Sequence, residues 1–125
     1  MTKHEFKQHI LGLSAEGRFP AVNVAENACA YLTPDGRKCV VGVTIPDGHP
    51  AQSVFMDAGR LYDTWPELRQ HIPEGLTLRD MQRLQDAHDA QVIYENCKLV
   101  HTWNHDEFAL EVERIFSGLY TEDDT

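Results

Sequence analysis

The sequence predicts a single α+β domain: a small antiparallel β-hairpin, or a three-stranded sheet that contains it, packed against about four helices. Three observations carry this expectation. The chain has 125 residues and is 42% hydrophobic, enough for one core without crosslinks. The stretch Cys29 to Asp47, CAYLTPDGRKCVVGVTIPD, reads as strand, tight turn and longer strand. Three other stretches carry helix caps followed by apolar residues at helical spacing. Residues 1–120 are expected to form the domain, with 121–125 a flexible acidic tail.

In the hairpin, Pro34 presets φ for the second turn position, Asp35 suits the third, and Gly36 accepts the positive φ that follows. A turn closed by a glycine bulge pairs Thr33 with Arg37. Tyr31 then lies opposite Cys39, and Cys29 opposite Val41. Alternation puts Cys29, Tyr31, Cys39, Val41, Val43 and Ile45 on a core face, and Lys38, Val40, Gly42 and Thr44 on the other. A glycine in mid-strand, Gly42, marks close approach by another backbone or a ligand.

Thr2 and Glu5 form a capping box before Phe6, Ile10 and Leu13, and Gly17 ends that first helix. Arg18 to Ala28 reads as extended or irregular. Ala51 to Leu61 is expected to hold a short helix, and Trp65-Pro66 to start another. Thr77 and Asp80 cap a helix whose stripe is Leu78, Met81, Leu84, Gln85 and His88. Gln91 to Thr102 fits either a helix extension or a strand. Asn104 with Glu107 opens the last helix, with Phe108, Val112, Ile115, Phe116 and Leu119 inward.

The formal charge is −9, unevenly placed. Residues 1–62 hold six basic and six acidic side chains, whereas 63–125 hold five and fourteen. Such a field repels nucleic-acid phosphates and suits a basic protein surface. No run is long and apolar enough to span a membrane, and no export signal is legible, so a cytoplasmic protein is expected. Three cysteines, an odd number, are expected as reduced thiols.

Three constellations could carry chemistry. Cys39 or Cys29 with His88, oriented by Asp47 or Asp89, has the inventory of a thiol nucleophile, base and orienting acid. Against it, strand cysteines on a core face lack the cationic neighbour that activates a thiol. His88 and Asp89 also project about 100° apart on a helix. Cys29, Cys39 and Cys97 with one of His49, His88, His101 or His105 could surround zinc, but the metal-binding spacings are missing. Finally, Arg79 and Arg83, one helical turn apart, belong to a basic set with Arg37, Lys38 and Arg60 that could hold a phosphate or carboxylate. Because hairpin and helix must share the core, Tyr31, Asp47, Gln85, His88 and Asp89 are expected close together, with Arg79 and Arg83 completing a ligand site. No glycine-rich phosphate loop is present, and neither a cofactor nor a bound metal is expected.

Cys29-Ala30-Tyr31, Pro34-Asp35-Gly36, Cys39, Gly42, Ile45-Pro46-Asp47 and the later Leu84-Gln85-Asp86-Ala87-His88-Asp89 resemble a group of uncharacterised small bacteriophage and prophage proteins. Members show a C-x-Y…PDG-x-x-C-x-x-G-x-x-IPD core and a downstream LQ-x-x-HD. The resemblance covers roughly residues 25–90, with departures at Val43 and in the short Gly48-His49-Pro50 connection. It assigns no activity or site residue. It implies an accessory protein in the cytoplasm of a host cell, acting by binding a host protein such as a defence component or a phosphate-bearing signalling nucleotide. The alternative is the cysteine-dependent hydrolase or transferase built on Cys39 or Cys29 with His88. Homo-oligomerisation is compatible with either.

Overall fold

Thr2 Oγ1 accepts the Glu5 N–H at 3.1 Å while Glu5 Oε1 accepts the Thr2 N–H at 3.0 Å, so the expected capping box starts α1, Lys3–Ala15. The computed structural model describes residues 2–23, 28–91, 93–95, 98–100 and 103–118, with backbone alone at 23, 28, 93–95 and 98–100. α1 ends where Gly17, at φ 75°, turns the chain back. Gly17 N–H donates to Ser14 O and Arg18 N–H to Leu13 O, the paired closure of a Schellman end. Its buried face is Phe6, Ile10 and Ser14; Leu13 is only partly buried.

The Thr33–Arg37 turn forms as expected, with Thr33 N–H donating to Arg37 O at 2.8 Å and Gly36 at φ 88°. The register continues to a single Leu32–Lys38 bridge, and there the ladder stops. The α+β expectation is therefore corrected: the protein is helical, and no hairpin or three-stranded sheet runs through 29–45. Residues Gly42–Thr44 form a 3₁₀ turn, with Val43 N–H on Cys39 O and Ile45 N–H on Gly42 O. Apart from that bridge and an isolated Thr2–Glu74 one, extended pairing among the described residues is confined to two short ladders, Val22–Asn23 with Ala28–Cys29 and Ile93–Glu95 with Lys98–Val100.

The reason is burial. Cys39, Val40 and Val41 are each at most 1% exposed and Gly42 is buried as well, so four consecutive residues face the interior. A hairpin strand with one solvated face cannot do that, and its β-branched propensity yields to packing. The predicted split into a Val41 face and a Val40 face does not survive.

The later elements follow their caps. After a 3₁₀ turn at Pro50–Ser53, α2 spans Ala58–Thr64 with Asp57 as its N-cap, so the helix begins seven residues later than expected. Pro66–His71 is a further 3₁₀ segment. Thr77 and Asp80 form the second capping box and open α3, Leu78–Asp89, which buries Met81, Leu84, Gln85, Ala87 and His88 but leaves Leu78 exposed. Asn104 accepts the Glu107 N–H to cap α4, His105–Phe116, which buries Phe108, Val112 and Ile115. α4 packs on α1 and α3, and α2 on α3. The expected acidic tail 121–125 and Leu119 lie outside the described residues. No described helix is long and apolar enough to cross a membrane.

The close approach expected at Gly42 is real, though it occurs at a helical turn. A Cβ there would sit 2.1 Å from Tyr31 O and 2.9 Å from its carbonyl carbon, both backbone atoms that cannot step aside. Gly42→Ala is expected to cost about 3 kcal/mol, read as a lower urea midpoint at unchanged slope. A loss under about 0.5 kcal/mol would show that the Tyr31 segment can move away.

Candidate functional site

α3 carries the residues that tie the chain together. His88 is fully buried on its inner face. Ala21 N–H, an obligate donor, points at His88 Nε2 at 3.1 Å, which places the ring's lone pair on Nε2 and its proton on Nδ1. Nδ1–H donates to Asp89 Oδ1 at 2.9 Å. The two side chains therefore pair, despite diverging on the helix, because Nδ1 lies near its own Cβ and within reach of the neighbouring carboxylate. The imidazole stands edge-on to Phe19, with centroids 5.3 Å apart, and 5.4 Å from Trp103; Phe108 completes the aromatic group.

One turn earlier, Gln85 bridges two elements. Its Oε1 accepts the Val41 N–H at 3.0 Å, and its Nε2 donates to the same Asp89 Oδ1 at 2.9 Å. Cys29 stands at the other side of this carboxylate: one ligand atom each of Cys29, His88 and Asp89 all lie within 4.8 Å of one another. Burial, then the Asp89 charge, pushes the Cys29 thiol up to about 12. Burial pushes Cys39 to about 12 as well, against a 3.4 Å bond that Gly42 N–H donates to its Sγ. Burial also raises Tyr31, whose hydroxyl donates to Met56 O. Cys29, Tyr31, Cys39, Asp57, Gln85 and Asp89 are among the residues that line a pocket of about 120 Å³.

The structure thus brings Tyr31, Gln85, His88 and Asp89 together, with Cys29 and Cys39. Asp47 is not with them: it is exposed and bound to Lys38 Nζ at 2.8 Å. Arg79 is exposed at the start of α3, and Arg83 lines a separate groove between α3 and α4. Of the proposed zinc ligands, His49 pairs with Glu67 at 3.3 Å and His105 with Ser14 at 2.6 Å. Both have partners outside the Cys29–His88 group, and Cys97 and His101 lie outside the described residues. The sequence reading missed Asp57, which caps α2, and Ser14, whose Oγ also accepts from Trp103 Nε1 at 2.8 Å. Asp57 precedes a helix and could have been found as a cap. A serine on an apolar stripe carries no such signal.

The chemistry of the arrangement follows from these bonds. A thiol nucleophile needs a thiolate, and here both burial and the facing carboxylate hold Cys29 protonated. A general base needs a lone pair facing the nucleophile, and the lone pair of His88 is spent on Ala21 N–H. Metal ligation through Nδ1 would move the proton to Nε2, against that same N–H. The donor set fits a hydrogen-bonded core histidine better than a catalytic pair or a cation.

His88→Ala should lose about 3 kcal/mol, since it opens a cavity beside Phe19 and strands the Ala21 N–H, whereas Asp89→Asn, which keeps an acceptor, should lose no more than about 1 kcal/mol. Equal losses in urea unfolding would contradict the role given to Ala21. In a Cys97→Ser background, native Cys29 and Cys39 should react with iodoacetamide at neutral pH roughly 1000-fold more slowly than an unperturbed thiol. A rate near that of free cysteine at either position would restore the nucleophile reading. No protein-family model matches this chain, and comparison with curated proteins and with solved structures gave no match either.

Proposed function

We propose that this chain is a non-enzymatic accessory protein of the phage type that acts in the host cytoplasm by binding a host protein with a basic surface, such as a defence component. The observation that supports this reading most is the groove of about 410 Å³ between α3 and α4, whose lining includes the carboxylates of Asp86, Glu107 and Glu111 together with Arg83, Ala87 and Ala90. Glu107, Leu110 and Glu111 fall on one face of α4 by helical spacing, and Leu110 is 55% exposed. An apolar contact flanked by carboxylates suits a partner that presents lysine or arginine around a hydrophobic residue. The acidic excess of residues 63–125 would speed the encounter with such a surface and repel polymer phosphates.

The test compares immobilised wild-type protein with an Asp86→Lys, Glu107→Lys double variant in host lysate. A basic protein retained by the wild type, released by raised salt and lost by the variant is the expected outcome. Equal retention by both, or no retention by the wild type, would defeat the reading.

A further inference from the structure

Two basic side chains of the first half, Arg18 and Lys38, meet at a different place from the one expected. A depression of about 340 Å³ is lined by His9, Leu13, Arg18, Gly36, Lys38 and Val43. Its walls are well determined by backbone bonds. His9 and Leu13 lie one turn apart on α1. The Schellman end folds Arg18 back on that turn, with Arg18 N–H on Leu13 O at 2.9 Å. Opposite stands the Thr33–Arg37 turn, tied to α1's end by Arg37 Nη1 donating to Gly17 O at 3.0 Å. Gly36 has open space where a Cβ would project, so the turn does not fill the depression.

The lining holds three cationic or protonatable groups and no carboxylate. Lys38 shares its charge with Asp47 at 2.8 Å, and Arg37, behind the rim, with Asp35 at 3.4 Å. His9 and Arg18 have no side-chain hydrogen bond or ion pair among the described residues. In a chain of charge −9, a cleft whose lining holds an exposed guanidinium and an ammonium but no carboxylate offers an anion a local match that the rest of the surface does not. Leu13 and Val43 add an apolar wall beside the charges.

We propose that this depression binds a small phosphate monoester. Arg18 supplies a two-pronged donor to the phosphoryl oxygens, Lys38 adds a second cation, His9 offers a ring N–H, and the organic part rests on Leu13 and Val43. The volume is at the small end for ligand sites, and the acidic remainder of the surface disfavours a polyanion. The site shares no residue with the α3–α4 groove and does not depend on the reading given to that groove. It also differs from an anion site on Arg79 and Arg83, since Arg83 lies among carboxylates.

The experiment is an amide-resolved NMR titration of the full chain with phenyl phosphate, using inorganic phosphate and phenol as the two halves of the probe. Saturable shifts at Leu13, Arg18, Gly36 and Val43 are expected, with weaker binding of inorganic phosphate and none of phenol at the same sites. Arg18→Gln should weaken phenyl phosphate about ten-fold, the loss of one charge-assisted contact. His9→Gln should weaken it in the same direction. Both positions are exposed, so the variants' own spectra verify an intact fold. Absence of saturation, equal binding of phenol, inorganic phosphate binding as tightly as the ester, or unchanged affinity in both variants would overturn the proposal.

Discussion

The fold depends on what happens to one backbone N–H. Ala21 lies in an extended segment with no helix to receive its donor, and its burial would be costly without a partner. His88 supplies that partner from the inner face of α3, and this choice sets the ring's tautomer and aims its other nitrogen at Asp89. Asp89 then takes a second bond from Gln85, which in turn receives the Val41 N–H. Three adjacent side-chain positions on α3 thus satisfy two buried backbone donors from separate segments. Each bond contributes only about 1 kcal/mol net, but leaving either donor unpaired costs more than the bond gains. The network therefore selects this packing more than it strengthens it.

The same commitment works against the catalytic roles that these residue types suggest. Thiol, imidazole and carboxylate lie within 4.8 Å, yet the carboxylate stands where it accepts protons from both neighbours. In a reactive site the imidazole would separate thiol from acid and keep a lone pair for the thiol. Composition of the cluster is the same in both cases; order and orientation differ.

Charge divides the molecule along different lines. The α3–α4 groove collects carboxylates around Arg83, while the depression behind α1 collects His9, Arg18 and Lys38 with no acid in its lining. Neither is formed by residues close in sequence. Each needs two or more elements packed together, so the same chain can present fields of opposite sign on separate surfaces.

Much of the local structure was legible in the residues alone. The two capping boxes, Asn104 as a cap, the Gly17 exit and the Thr33–Arg37 turn all form, because each is decided by bonds within five residues. The neighbourhood of Tyr31, Gln85, His88 and Asp89 was also legible, since an amphipathic stripe interrupted by polar residues must bury them against something. Tertiary structure alone decided the rest. The alternating pattern at Cys39 to Ile45 reads as a strand with one solvated face, but only the assembled core reveals that both faces of Cys39-Val40-Val41 are covered and that a 3₁₀ turn follows. Asp47 lies outside the cluster, exposed and paired with Lys38, and Ser14, His9 and Arg18 acquired partners or neighbours from distant segments. Sequence spacing determines which side chains share a face; which face meets which backbone donor is set by packing the whole chain at once.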